Sequence, residues 1–136
     1  MIEFRPLAET DVPLLRSWLE REHVRLWWRE PIEYELAQEL EGRYVIVVDG
    51  REVGLIQTYD GEVDLLIGEE DCVGRGLGPQ ILSRFVAEIV ETDCAFALVE
   101  EGNRRSWRAF EKAGFRQVGD VEENGLPHRL MRLDRD

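Results

Sequence analysis

The chain is short of the residues that bind metals or build a disulfide framework. Its 136 residues include two cysteines, Cys72 and Cys94, and two histidines, His23 and His128. The cysteines lie far apart and outside any CxxC pattern, so free thiols in a reducing compartment are expected. No HExxH occurs, and these four isolated residues leave a zinc site nothing to build on, so no metal is expected. No apolar run approaches the roughly 20 residues that a membrane span requires. The opening residues, MIEFRPLAETD, show no basic stretch followed by an apolar one. A secretory signal is therefore not expected, and the cytoplasm is the expected location. Internal repeats, low-complexity tracts and linkers are also missing, so residues 1–136 are expected to form a single domain with one core.

Positive charge is scarce as well. Seventeen Lys and Arg face 29 Asp and Glu, a net charge of −12. A field of that sign repels nucleic acid and anionic membranes and attracts small cations. Neither nucleic acid nor membrane is expected as a partner, although the same charge also serves plain solubility. Hydrophobic residues make up 43% and charged residues 34%, the balance of a globular chain rather than a disordered one.

Periodicity orders the elements. Ile2–Pro6 alternates as a strand. A helix is expected from Asp11 to about Arg21, capped by Thr10 and tolerating Pro13 in its first turn. A second helical stretch runs from about Glu33 to Leu40. Tyr44–Val48 and Glu52–Tyr59 read as a hairpin through Asp49-Gly50, and Asp60-Gly61 leads into a strand at Glu62–Ile67. Leu77–Val90 is a long amphipathic helix and Cys94–Val99 a short buried strand. Arg104–Ala113 is a helix stopped by Gly114. Arg116–Val121 and His128–Leu133 form a last hairpin around Asn124-Gly125. This order predicts an α/β fold with a mixed, mostly antiparallel sheet, in which the strand before Gly74 and the strand after Val90 are parallel neighbours.

The sharpest local signal is Val73-Gly74-Arg75-Gly76-Leu77-Gly78, which is expected to follow a strand and open a helix. Backbone N–H groups of such a loop converge on one space, and the helix N-terminus adds partial positive charge. Glycines let the backbone approach an anion closely. The loop suits a diphosphate, but it also serves as a tight turn with no ligand. A Walker loop is excluded because Pro79-Gln80, not Lys-Ser/Thr, follows Gly78. A dinucleotide fingerprint is excluded by the GxGxG spacing in mid-chain.

At this loop the sequence resembles the GCN5-related N-acetyltransferases. Their motif, Gln/Arg-x-x-Gly-x-Gly/Ala, binds the pyrophosphate of CoA. Gly76 and Gly78 match it, whereas Val73 stands where Gln or Arg is usual. The segment from Asn103 to Phe115, NRRSWRAFEKAGF, is similar to the family's NxxAxxxYEKxGF block, whose Asn contacts the CoA arm. The resemblance covers nearly the whole chain. It implies a splayed mixed sheet of about seven strands flanked by about four helices. It also implies acetyl-CoA as co-substrate, with Val73, Gly74, Arg75, Gly76, Leu77, Gly78, Asn103 and Phe110 at the cofactor. A bulky residue at Gly76 or Gly78 is expected to abolish cofactor binding and leave the fold largely intact.

A third block narrows the comparison. Asp11–Leu19 followed by His23-Val24-Arg25-Leu26-Trp27-Trp28 resembles the start of aminoglycoside 6′-N-acetyltransferases. Those enzymes also carry an Asp ten positions before the first glycine of the loop, where Asp64 stands here. The resemblance implies that Asp64 orients the substrate ammonium and accepts its proton. It implies a small cationic aminoglycoside as substrate, with Trp27, Trp28 and Asp64 as its contacts. No motif places Tyr59, a possible proton donor like Tyr34. Glu100 and Glu101, just beyond the fifth strand, suit either a substrate contact or a solvated loop. Read without the resemblance, Asp64 is the one charge in the apolar run Val63–Ile67, either buried with a raised pKa or facing solvent at a strand end. Trp27 and Trp28 equally suit core packing. His23 reads as a capping or packing residue.

Two departures matter. Phe110 replaces the tyrosine that many family members use as general acid, and Phe cannot donate a proton. Phe110→Tyr is therefore expected to hold or raise the rate. Only Arg29 to Gly42 fills the segment between Trp28 and the next strand, less than in the aminoglycoside enzymes, which implies a more open or differently shaped substrate site. Other readings remain: acetylation of a siderophore precursor, polyamine or protein N-terminus, or CoA binding without catalysis. Oligomeric state is not legible in the sequence.

Overall fold

The computed structural model describes residues 1–135. Its strands are β1 (Ile2–Pro6), β2 (Arg43–Val48), β3 (Arg51–Tyr59), β4 (Glu62–Ile67), β5 (Cys94–Glu100), β6 (Arg116–Glu123) and β7 (Leu126–Asp134). Its helices are α1 (Val12–Leu19), α2 (Glu22–Arg25), α3 (Ile32–Leu36), α4 (Leu77–Glu88) and α5 (Arg104–Lys112). The strands form a seven-stranded sheet in the order β1-β2-β3-β4-β5-β7-β6. β1–β2, β2–β3, β5–β7 and β6–β7 are antiparallel, and β4–β5 is parallel. The sheet is thus mixed and mostly antiparallel, as the sequence predicts.

All three predicted two-residue turns close as expected. Asp49-Gly50, Asp60-Gly61 and Asn124-Gly125 each place both residues at positive φ, between 50° and 93°. That is the requirement of a type I′ turn, which Asp, Asn and Gly meet at least cost. The helices differ more from expectation. α1 starts at Val12 after a 3₁₀ turn at Glu9–Asp11. Thr10 does not cap it. Asp11 stands at the N-cap instead, with no side-chain bond to the helix, and its carboxylate accepts the Ala8 N–H at 2.8 Å across the 3₁₀ turn. α3 ends at Leu36, four residues before Leu40, and α2 is an additional single turn.

The chain divides into two compact units. The first comprises residues 1–57 and 65–73. Its core joins Leu7, Leu15, Trp18, Leu19, Val24, Val45, Leu55 and Leu66. Trp18 is fully buried and lies on Gly68, where an added Cβ would stand 2.1 Å from the indole Cγ. Its Nε1 donates to Glu69 at 2.9 Å. Packing of a large ring against bare backbone explains why glycine is required there.

The second unit comprises residues 58–64 and 74–136, of which 136 lies outside the described residues. Its buried side chains include Ile81, Leu82, Phe85 and Val86 of α4 and Ala95, Ala97 and Val99 of β5. Phe110, Phe115 and Met131 are buried with them. β5 alternates between buried and half-buried positions along its length, as a strand covered unequally on its two faces must.

Candidate active site

The glycine loop does not follow β4 directly. A 3₁₀ turn at Glu70–Cys72 intervenes, and Val73 leaves it in an extended conformation (φ −74°, ψ 138°). Beyond Val73 the three glycines have different environments. Gly74 and Gly76 lie in the left-handed region at φ +77° and +76°. An L-residue held there costs about 1–2 kcal/mol. A Cβ at Gly76 would meet nothing within 4 Å, so the space over the loop is open. Gly76 also serves as N-cap of α4, and no side chain caps that helix. The first-turn amides therefore have no intrahelical partner, and Pro79 has no N–H to offer. Gln80 Nε2 donates to the Gly76 carbonyl at 3.2 Å and ties the loop to the helix. Arg75 is exposed and Leu77 half-buried.

Gly78 has a separate role. Its Cβ would stand 3.2 Å from the Ala109 Cβ, so glycine here lets α4 approach α5 closely. The expectation that a bulky residue at Gly78 spares the fold is therefore corrected. Only Gly76, with open space around it, separates ligand binding from packing.

The loop between β5 and α5 is held from several sides. Asn103 N-caps α5 with no side-chain cap bond, which leaves its amide group available to a ligand. Its N–H donates to the Glu100 carbonyl at 2.9 Å. Glu100 is half-buried and faces His128 across β7. The next residue, Glu101, accepts two bonds from Arg129 at 2.9 Å each. The Arg129 guanidinium lies 3.6 Å from the Trp107 ring centroid, and Trp107 Nε1 donates to the Glu101 carbonyl at 3.0 Å. The Arg129 hydrogen bonds, helped by its charge, lower the Glu101 carboxyl from its ordinary value against a smaller push from desolvation. Sequence reading does not find this clamp, because Glu101 and Arg129 are 28 positions apart and lie in no shared motif.

Phe110 is 2% exposed, and its ring meets Phe115 edge-on at 5.0 Å between centroids. The position that the resemblance assigns to a proton donor is thus part of the packed interior of this unit.

Asp64 is exposed, so the burial that its apolar strand suggests does not occur. Parallel pairing of β4 with β5 is recorded at one register position, Glu62 with Phe96. The Phe96 N–H donates to the Gly61 carbonyl at 2.9 Å. Asp64 lies two residues beyond that pair. Glu62 shares its face of the strand. Burial pushes the Glu62 carboxyl up, and the charge of Glu123 adds to the effect. Tyr59, at the end of β3, is 83% exposed.

In the first unit the two tryptophans part company. Trp27 is 41% exposed, whereas Trp28 packs against the core cluster. The Trp28 Nε1 is buried and has no partner at hydrogen-bonding geometry, yet its N–H still favours the charged form of Glu35. Burial nevertheless raises the Glu35 pKa. Arg43, equally buried, reaches the Glu35 carboxylate at 3.4 Å, the Glu35 carbonyl at 3.1 Å and Gln57 at 3.0 Å. His23 does pack rather than stand free: its Nε2 is 2.9 Å from the Ile67 carbonyl.

Among the described residues, no three His, Cys, Asp or Glu side chains are grouped to hold a metal ion. No described helix is long and apolar enough to cross a membrane.

A sequence model of the acetyltransferase (GNAT) domain matches residues 8–123. The chain belongs to the GNAT acetyltransferase family. Aminoglycoside N(6′)-acetyltransferase type 1 of Klebsiella pneumoniae is 26% identical over 154 residues, covering 88% of this chain and 76% of the relative. The lysine N-acyltransferase MbtK of Mycolicibacterium paratuberculosis is 24% identical over 157 residues, covering 91% and 69%. A crystal structure of the aminoglycoside acetyltransferase AAC(6′)-Ib in complex with coenzyme A and kanamycin superposes with a TM-score of 0.83 at 25% identity, covering 99% of this GNAT chain and 95% of that one.

Proposed function

We propose that this GNAT protein is an acetyl-CoA-dependent N-acetyltransferase that acetylates a primary amine of an aminoglycoside, at the 6′ position. The observation that carries the reading is the loop from Gly74 to Gly78. Two left-handed glycines, open space over Gly76 and an uncapped twelve-residue helix offer backbone donors of the kind that cradle a diphosphate. The residues present fit the diphosphate of CoA, and Asn103 fits the arm of the same molecule.

Bound acetyl-CoA supplies an activated acetyl group as a thioester. The chain's own residues handle the amine and its proton. An aminoglycoside amine is largely protonated at neutral pH, and Asp64 holds the ammonium and then accepts its proton, directly or through water. Its exposed position on β4 suits that role, because a polar substrate can reach it there. Glu100 and Tyr59, in the same unit as Asp64, add polar contacts. With Phe110 giving no proton, departure of the thiol relies on its own acidity, a pKa of about 8.5. The net charge of −12 draws a polycation toward the protein.

The similarity to a lysine N-acyltransferase favours a second reading, acetylation of a siderophore precursor or another amine. A screen of acceptors with detection of free thiol separates the two. Turnover of kanamycin-like or tobramycin-like acceptors is expected. Turnover of a hydroxylamine, polyamine or peptide with no aminoglycoside turned over would establish the second reading. Tight acetyl-CoA binding with no turnover of any amine would leave a CoA-binding module.

A further inference from the structure

We propose that Arg105 is a further cofactor-binding residue, its guanidinium pairing with the diphosphate of CoA at the Gly74–Gly78 loop. The proposal rests on the acetyl-CoA reading above and adds a charged contact that the glycine motif does not contain.

Arg105 is the second residue of α5, 31 positions along the chain from Gly74. Its Cζ and Nη2 are the atoms nearest to the place a Cβ would occupy at Gly74, both at 3.8 Å. A planar guanidinium therefore lies against the first glycine of the loop. Val73 contributes no donor side chain there. Backbone amides supply partial charges only, whereas a guanidinium supplies a full charge and a fork of N–H donors matched to phosphate oxygens.

Arg105 is also uncommitted. Among the described residues no carboxylate lies within ion-pair distance of it, although its side chain is exposed. Its neighbour on the helix, Arg108, pairs with Glu111 at 3.6 Å. Arg5, Arg16, Arg21, Arg43, Arg51 and Arg84 each pair with an acid. In a chain with 29 acidic residues against 17 basic ones, a guanidinium with no acidic partner beside an anion-binding loop is held in reserve for an anion. The chain's overall negative field opposes an anionic cofactor, so a local cation at the phosphates has a definite electrostatic task.

The test is calorimetric titration of CoA and dephospho-CoA into the wild-type protein and into Arg105→Gln, Arg105→Lys and Arg108→Gln, each checked for folding by circular dichroism. Arg105→Gln is expected to weaken both ligands by the same factor, roughly ten- to a hundredfold, the scale of a charge-assisted hydrogen-bond pair. Arg105→Lys should fall between, keeping the charge and losing the fork. Arg108→Gln removes the same charge from the same helix and should change affinity by no more than about twofold. The loss in Arg105→Gln should shrink as salt rises. Equal affinity in wild type and Arg105→Gln would overturn the proposal. So would equal losses in the Arg105 and Arg108 variants, which would mean a general field effect. A loss for CoA but not for dephospho-CoA would place the contact at the 3′-phosphate and overturn the diphosphate assignment. Failure of the wild-type protein to bind CoA at all would instead overturn the acetyl-CoA reading itself.

Discussion

Gly78 of α4 faces Ala109 of α5 at a close approach, since a Cβ at 78 would stand 3.2 Å from the Ala109 Cβ. Gly78→Val is therefore expected to lower stability by about 1–3 kcal/mol through overpacking. Adding Ala109→Gly should recover part of that loss, a coupling that a double-mutant cycle on thermal melts will show. Gly76→Val meets open space and is limited by its φ of +76°. It should remain folded and lose acetyl-CoA binding. Unchanged acetyl-CoA affinity in folded Gly76→Val would remove the cofactor from this loop.

Phe110 packs edge-on against Phe115 and is 2% exposed. The hydroxyl of Phe110→Tyr would enter a packed apolar interior, where a polar group without a partner costs about 1–3 kcal/mol. The expectation drawn from the resemblance, that tyrosine holds or raises the rate, gives way to a different one. Phe110→Tyr should melt at lower temperature and turn over no faster than wild type. A clear rise in kcat at unchanged stability would show that the hydroxyl reaches the reacting atoms after all.

Asp11 accepts two bonds from Arg5, at 2.9 and 3.1 Å, and the Ala8 N–H at 2.8 Å. The Arg5 hydrogen bonds, with the Ala8 amide and the Arg5 charge, hold its carboxyl below the ordinary 3.8 in spite of burial. A carboxyl depressed in the folded state stabilises the protein above its unfolded pKa and loses that contribution as pH falls through the folded one. Asp11→Asn should cost about 1–3 kcal/mol at neutral pH. The gap to wild type should begin to narrow below the unfolded pKa and close in denaturant melts carried below the folded one. A gap of equal size at both pH values would assign the effect to packing rather than charge.

Asp64→Asn tests the proton acceptor. The exposed carboxylate on β4 is expected to account for about a hundredfold or more of kcat/KM with an aminoglycoside acceptor, the scale of a lost general base. Acetyl-CoA affinity should be unchanged. Near-normal kcat/KM in the variant would dismiss the catalytic assignment without touching the substrate class.

The elements near the site differ in how legible they are. α4 is read almost to its end from the periodicity of Ile81, Leu82, Phe85 and Val86, the residues it buries. Asn103 is legible through the resemblance of the segment from Asn103 to Phe115 to the family block. Trp27 and Trp28 are adjacent and of one type, so nothing local distinguishes the exposed ring from the one packed on the core. The buried Arg43 is equally hidden. An arginine at the start of a strand reads as a surface residue until Glu35 and Gln57 are seen around it.

The sequence by itself determined what depends on neighbours along the chain. The three turns at Asp49-Gly50, Asp60-Gly61 and Asn124-Gly125 follow from the φ values that those residues tolerate. The alternation of β5 follows from the pleat, and the glycines at 74 and 76 from a loop that must turn left-handed before a helix. The tertiary structure alone decided what depends on residues far apart in the chain. It set Arg105 over Gly74 and Ala109 against Gly78. It buried Phe110 on Phe115 and clamped Glu101 with Arg129 and Trp107. No periodicity encodes such contacts, because a side chain's partner across a fold is chosen by packing and charge and not by its offset in sequence.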